Sequence, residues 1–337
     1  VQDRYGRAVT DLRISLTQRC NLKCVFCHME GQPPTRAELA PEEIERIVRA
    51  GVAIGIDRVK LTGGEPTLRS DLAEIVGRIA PLVQEVSMTT NGLLLEQLAA
   101  PLKRAGLARV NVSLPSLDPE TYERLTGVDG AGRVVRGVRA ARAAGLQPIK
   151  LNVVALAGLT DDRAAVERLV SFAQDEGAWV QLIEFENVRG RVDPRVYRAL
   201  HSELGRLREE AAERAFKTEK NRLHLRPRYT FERNGRPVTL EVVQPVENPS
   251  FCMACHRLRV TADGKLKGCL MTNEGLLDVG RLIREGAGDE ALVQAFRLAV
   301  DRRRPFFTGP ETPTPSASMM EEPSWIEGVP LPLVVRP

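Results

Sequence analysis

The sequence predicts an α/β protein: a parallel sheet with helices packed outside it, followed by a smaller α+β region. Three observations carry this. Short β-branched runs alternate with helical patterns six times between residues 11 and 217, the order that lays strands side by side in one direction. A charged stretch over residues 194–217 then changes the character of the chain, and a hairpin signal, Asn234-Gly235, follows it. All six cysteines fall into two tight groups, one in each region.

Taken in order, residues 12–16 read as the first strand, and the first cysteine group occupies the loop after it. Ile44, Ile47, Val48 and Val52 recur at helical spacing and form one apolar stripe. Residues 58–62 are the second strand, ending at Gly63-Gly64-Glu65-Pro66. A helix from Asp71, a strand over 85–89, a helix from Leu94 and a strand over 109–113 follow. Two helices occupy 119–145; strand 149–154, helix 163–176 and strand 180–185 complete the series. One long charged helix is expected over 194–217, then a hairpin from 228–232 and 237–243. Short strands fall around Arg259 and Lys265, with helices near 277–286 and 290–303. From Gly309 onward, seven prolines in 29 residues predict an extended tail running over the surface. The expected division is therefore 1–217, 218–308 and the tail 309–337.

With 337 residues the chain can bury a large core. It contains no apolar run of about eighteen residues, so no membrane span is expected. Val1-Gln2-Asp3-Arg4 opens no apolar signal segment, so the expected location is the cytoplasm, with a few residues trimmed where the initiating Met would stand. The net charge of +4 is mild for a nucleic-acid binder. The cations are 40 Arg against 8 Lys, weak support for an anionic ligand because guanidinium meets phosphate in a bidentate way.

Two constellations carry chemistry. Cys20, Cys24 and Cys27 stand as Cys-x3-Cys-x2-Cys, three thiolates able to grip three irons of a cubic [4Fe–4S] cluster and leave the fourth open for chemistry. A zinc site completed by His28, or plain buried thiols, is the rival reading. Cys252, Cys255 and Cys269 again offer three sulfurs without an obvious fourth; a second cluster competes there with zinc completed by His256. Arg257 and Arg259 alternate on a strand and face one side, which suits a phosphate-bearing ligand or a surface ion pair. The Gly63-Gly64-Glu65-Pro66 turn is ordinary taken alone, but it follows the cysteine loop by one strand and offers exposed backbone groups beside it.

The first trio and this turn together resemble the signature of the radical S-adenosylmethionine (SAM) enzymes. Asp3-Arg4-Tyr5-Gly6-Arg7, Asp11-Leu12-Arg13-Ile14-Ser15, Leu61 through Arg69, Thr89-Thr90-Asn91-Gly92, Val110 through Leu114, Leu125-Thr126-Gly127, Lys150 through Val154 and Ile183-Glu184-Phe185 extend the likeness. With the Cys252-to-Cys269 segment, the chain resembles the GTP 3′,8-cyclase family that begins molybdenum-cofactor biosynthesis. Cys27-His28-Met29-Glu30-Gly31 looks like its archaeal branch.

The resemblance implies an incomplete (β/α)6 barrel plus a C-terminal domain carrying an auxiliary cluster. Cys20, Cys24 and Cys27 would bind the SAM cluster, and Cys252, Cys255 and Cys269 the second one. Gly63, Gly64, Glu65, Thr90 and Ser113 would line SAM. Arg13, Arg58, Lys60, Lys150, Arg257 and Arg259 would line the GTP cavity. Arg13, Lys60 and Lys150 are weighted because they sit in strands among apolar neighbours, where a charge needs a partner. By the same resemblance an external reductant delivers an electron, SAM is cleaved, a hydrogen leaves C3′ of GTP and C3′ closes onto C8, giving 3′,8-cyclo-7,8-dihydro-GTP. No side chain is singled out as an acid or base. A pterin synthase would act downstream; oligomeric state is left open, a homodimer being one option. Three departures stand out: Gln181 where the family tends to carry Arg, Glu186 where Met is typical, and Val334-Val335-Arg336-Pro337 in place of a terminal Gly-Gly pair.

Overall fold

Alternation along six strands sets the architecture. In β1 (Asp11–Ser15), Leu12 and Ile14 are buried in the core while Arg13 points the other way. The same rhythm places Val59 and Leu61 of β2 (Arg58–Thr62) in the core, and Val110 and Val112 of β4 (Arg109–Ser113). It continues through β3 (Glu85–Thr90), β5 (Lys150–Val154) and β6 (Trp179–Ile183). Successive side chains of a strand take opposite faces, so one face of this sheet is apolar and the other polar. The structure, a computed structural model, describes residues 1–188, 192–202, 204–221, 225–246 and 248–306. The predicted tail lies outside the described residues.

Helices cover the apolar face. They are α1 (Pro41–Ala53), α2 (Leu72–Ile79), α3 (Leu95–Ala105), α4 (Pro119–Thr126), α5 (Ala131–Ala143) and α6 (Arg163–Asp175). Asp118 and Asp162 cap α4 and α6 by accepting from the backbone N–H of Thr121 and Ala165, satisfying donors that the helix leaves unpaired. Ile44, Ile47 and Val48 of α1 are buried as expected, but Val52 is 38% exposed and lies off the stripe.

The long charged helix expected over 194–217 is instead α7 (Pro194–Leu200) and α8 (Leu204–Arg214), followed by strand β7 (Lys217–Lys220). The break has a local cause. His201 leaves helical geometry to bridge Leu156, and the Ser202 hydroxyl donates to Asp161 at 2.7 Å. Competing contacts to the loop after β5 outweigh the propensity of a continuous helix.

The remaining elements are β8 (Pro227–Arg233), β9 (Arg236–Val243), α9 (Pro249–Met253), β10 (Arg257–Val260), β11 (Lys265–Lys267), β12 (Leu277–Asp278), α10 (Val279–Arg284) and α11 (Asp289–Asp301). The hairpin is present, but its strands do not form a separate sheet. Among the described residues all twelve strands belong to one sheet, ordered β12-β11-β10-β1-β2-β3-β4-β5-β6-β9-β8-β7. β10 runs parallel to β1 with Arg259 opposite Arg13, and β9 runs parallel to β6 with Glu241 opposite Gln181. The partial barrel of six strands is thus widened on both flanks by strands from the second half of the chain, and antiparallel strands lie beyond them. Phe296 of α11 is fully buried. Helix α11 itself packs on α1.

Candidate active site

The polar face of the sheet encloses a cavity of about 710 Å³, a size typical of ligand sites. Both cysteine groups open onto it. Of the eleven non-cysteine residues proposed from sequence, ten line its wall; Glu65 lies behind it.

Backbone contacts hold the first cysteine loop from several sides. The Arg69 guanidinium donates to the carbonyls of Leu16 and Leu39 at 3.2 and 3.0 Å, tying together both ends of the loop. Lys23 and Val25 donate their N–H groups to Thr126 and Leu125, and a small apolar cluster including Phe185 and Leu200 packs against Val25 and Phe26. Opposite, Gly63 has φ +147°, and a Cβ there would lie 2.5 Å from the Thr17 carbonyl oxygen. At Gly64 a Cβ would meet the Arg19 carbonyl oxygen at 2.3 Å. Only residues without a side chain permit this approach. The Gly64 N–H reaches Thr17 O at 2.7 Å and the Glu65 N–H reaches Arg19 O at 2.8 Å, locking the turn to the loop.

Glu65 is fully buried, and burial raises its pKa. One carboxylate oxygen accepts from the Thr67 N–H, the Thr67 hydroxyl and the Thr90 hydroxyl; the other accepts from the Asn91 N–H at 2.6 Å. About four lone-pair sites exist on a carboxylate, and most are committed inside the protein. Glu65 therefore organises Thr90 and Asn91, which do line the cavity.

None of the six cysteines is in a disulfide. Burial raises the pKa of Cys20 and, more strongly, Cys24; burial also raises Cys269. Cys255 differs: burial is overruled, Arg303 foremost, and its pKa falls. Neither adjacent histidine has an idle Nδ1. That of His28 accepts from the Glu30 N–H at 3.0 Å, and that of His256 lies 2.7 Å from Ala8 O. Among the described residues, no three His, Cys, Asp or Glu side chains are gathered closely enough to hold a single metal ion.

The wall between the two cysteine groups is basic. The register places Arg259, Arg13, Lys60 and Ser87 on neighbouring strands at one level. Arg13 is paired with Glu30 at 3.7 Å; its pKa falls to about 10, through burial first and then through Arg259. Burial, with Arg109 and Arg13 nearby, drives Lys60 well down, although it donates to Asn111 at 3.0 Å. Burial likewise lowers Arg257, with Arg13 adding to it, and Arg58 is half-buried on the same wall.

Sequence reasoning missed the group around Glu241. Its carboxylate is fully buried and accepts from Lys150 at 2.9 Å, Arg228 at 2.7 Å and Arg226 at 3.2 Å. Lys150 and Arg228 both stack on Trp179, at 5.0 and 4.8 Å from the ring centre. Burial lowers Lys150 to about 8 against the pull of Glu241. For Glu241 burial pushes upward, but three cations overrule it and hold it at about 2. One anion among three cations leaves a surplus of positive charge, and of the cations Lys150 and Arg226 line the cavity. Glu186 stands apart: burial, stronger than the pull of Arg259, raises it to about 7.

Several buried polar atoms on the wall lack a hydrogen-bond partner among the described residues: Arg13 Nε, Arg226 Nε, an Arg259 guanidinium nitrogen, Gln181 Oε1 and Glu186 Oε2. Such orphans are rare in a folded interior; the guanidinium donors call for an anionic group and the Gln181 and Glu186 oxygens for a donor, so the cavity points to a polar ligand that carries both. The thiol trio and the side-chain-free turn against it fit a cluster with a small molecule beside it.

Comparison with known proteins agrees. A model of the radical SAM superfamily matches residues 14–170, and one described as Molybdenum Cofactor Synthesis C matches residues 178–308. Proteins named probable GTP 3′,8-cyclase from Thermococcus kodakarensis and Pyrococcus abyssi are 47% and 45% identical over 306 residues, covering 90% and 91% of this chain and 99% of each relative. A third, from Methanosarcina mazei, is 42% identical over 317 residues, covering 91% of this chain and 90% of its own. The structure of Streptococcus suis SuiB bound to SAM has a TM-score of 0.65 at 17% identity, over 81% of this chain and 64% of that one. This chain thus spans just under two thirds of SuiB, and that likeness shows the fold alone. The chain belongs to the GTP 3′,8-cyclase family of radical SAM proteins.

Proposed function

We propose that this protein converts GTP to 3′,8-cyclo-7,8-dihydro-GTP, the first step of molybdenum-cofactor biosynthesis. As a radical SAM protein it uses a [4Fe–4S] cluster and SAM. On our reading Cys20, Cys24 and Cys27 hold that cluster, and Cys252, Cys255 and Cys269 hold a second one. Cluster and SAM supply the one-electron chemistry that removes a hydrogen atom from the ribose. The side chains do the rest.

Gly63 and Gly64 bring the backbone against the first cysteine loop, and Thr90, Asn91 and Ser113 present polar groups to SAM there. Glu65 fixes that arrangement from behind. Arg13, Arg58, Lys60, Lys150, Arg257 and Arg259 form the wall for GTP, joined by Arg226. Their surplus charge neutralises the triphosphate and orients the nucleotide between the two iron sites. Residues 1–217 then carry the SAM half and 218–308 the second iron site. The electron donor and a downstream pterin synthase are partners on this reading. Among the described residues no helix is long and apolar enough to cross a membrane.

One observation carries the reading: a single cavity opens on both cysteine trios and has a cationic wall between them. Anaerobic reconstitution followed by assay of 5′-deoxyadenosine tests it. Formation stimulated by GTP, with the cyclised nucleotide as coproduct, is the expected result. Formation indifferent to GTP would assign the cavity to another substrate, and zinc rather than iron lost on Cys252→Ala would remove the second cluster.

A further inference from the structure

At the edge of the same cavity, where Arg7 and Arg303 join its lining, three charged residues that the proposed chemistry does not use lie buried together. Asp3 has a side chain with no exposure, Arg303 is 2% exposed and Arg7 is 5% exposed. The Asp3 carboxylate is saturated: one oxygen accepts from the N–H groups of Tyr5 and Arg7, both at 3.0 Å, and the other from Arg7 Nε at 2.8 Å and Arg303 Nη1 at 2.9 Å. Two guanidiniums on one carboxylate are costly to bury, so their remaining donors matter. Each guanidinium sends one of them to the second cysteine group, while Arg303 Nε has no partner among the described residues.

Arg7 donates to the carbonyl of Cys252 at 3.0 Å, and Arg303 to the carbonyl of Cys255 at 2.6 Å. The residue before Cys269 is packed against the same side chain: a Cβ on Gly268 would lie 3.2 Å from Arg303 Cγ. Arg7 also holds the carbonyls of Arg304 and Pro305 at 2.6 and 2.8 Å, so the segment after α11 is pinned with it. His256 joins the same seam, its carbonyl accepting from the N–H groups of Thr10 and Asp11. Residues from the two distant stretches of the chain thus hold the backbone of Cys252 and Cys255 and pack against the residue before Cys269.

We propose that Asp3, Arg7 and Arg303 act as a clasp that holds Cys252, Cys255 and Cys269 in their metal-binding arrangement. They are positioning residues: removing one leaves the sulfurs in place but frees the carbonyls that fix the spacing. Outer partners of this kind govern how tightly a site keeps its metal. The inference rests on the reading that these cysteines bind a cluster.

The test uses the full chain with Cys20→Ala, Cys24→Ala and Cys27→Ala, so that only the second site takes iron. After anaerobic reconstitution, iron per chain and the rate at which a chelator strips it are measured with and without Arg303→Met. The expected result is stripping roughly tenfold or more faster. The same substitution in a chain carrying Cys252→Ala, Cys255→Ala and Cys269→Ala should leave release from the first site unchanged. Arg303→Lys keeps the charge without the fork, folds where Met fails, and should fall between parent and Met. Unchanged stripping at the second site overturns the clasp, as does equal acceleration at both sites, which would mark a general stabiliser. A parent background that binds no iron at Cys252, Cys255 and Cys269 instead defeats the second-cluster reading beneath it.

Discussion

Replacing Glu241 with glutamine removes the only anion of the three-cation group while keeping its size. Lys150, Arg226 and Arg228 would then share a buried space with no counter-charge. A carboxylate held at about 2 against an ordinary 4.5 gains roughly 3 kcal/mol in its charged form, at about 1.4 kcal/mol per pH unit. Breaking a buried ion pair by deleting one partner costs about 3–5 kcal/mol, so Glu241→Gln should lower stability by about 3 kcal/mol near neutral pH. The sign follows from the direction: a depressed folded-state pKa gives stability that is complete above the ordinary value and lost as pH falls toward the depressed one. The gap between parent and variant should therefore be full at neutral pH and shrink between about pH 4.5 and 2. Urea unfolding of the thiol-reduced apoprotein measures it. Adding GTP should stabilise the variant more than the parent, because the triphosphate replaces the missing anion. A difference below about 1 kcal/mol, within the range of exposed pairs, would refute the argument.

Other consequences are equally open to measurement. Gly64→Ala places a Cβ 2.3 Å from the Arg19 carbonyl and 2.7 Å from that of Gln18, so SAM affinity by calorimetry should fall roughly tenfold or more, a loss of about 1.4 kcal/mol or greater; unchanged affinity would show that the turn gives way harmlessly. Lys150 is cationic below about 8 and neutral above it; KM for GTP should rise as pH passes that value, and Lys150→Arg should flatten the profile. Phe296→Ala should cost about 3–5 kcal/mol by opening a cavity between α11 and α1, read as a lower Tm with the iron content of the folded protein intact.

Much of the barrel was legible because alternation is written locally. Residues 58–62 and 109–113 begin and end where the pattern says, since each strand buries one face under helices and turns the other to the cavity. The same pattern held more than was taken from it. Glu85, Ser87, Arg109, Asn111 and Asn152 sit on the same polar face as Arg13 and Lys60, and alternate charges in otherwise apolar strands mark a lined cavity before any coordinates exist. The cysteine groups and the glycine turn were legible for a similar reason: each is contiguous. Glu241 was not, because its partners come from three other positions, and a glutamate in a hairpin strand looks like a solvated charge until Lys150 is placed beside it. Asp3, Arg7 and Arg303 escaped in the same way, being separated by most of the chain. His201 shows the opposite failure, where helical composition was real but a tertiary bridge to Leu156 overrode it.

The placement of β10 beside β1 and of β9 beside β6 has a practical outcome for anyone dissecting the polypeptide. Severing it near residue 217 would strip both outermost members of the six-strand array of their neighbours and leave two rows of bare amides, a margin on which chains polymerise. Grafting the later segment from a homologue would likewise demand matched ladders along two seams at once, so chimeras should tolerate exchange of whole chains far better than exchange of halves.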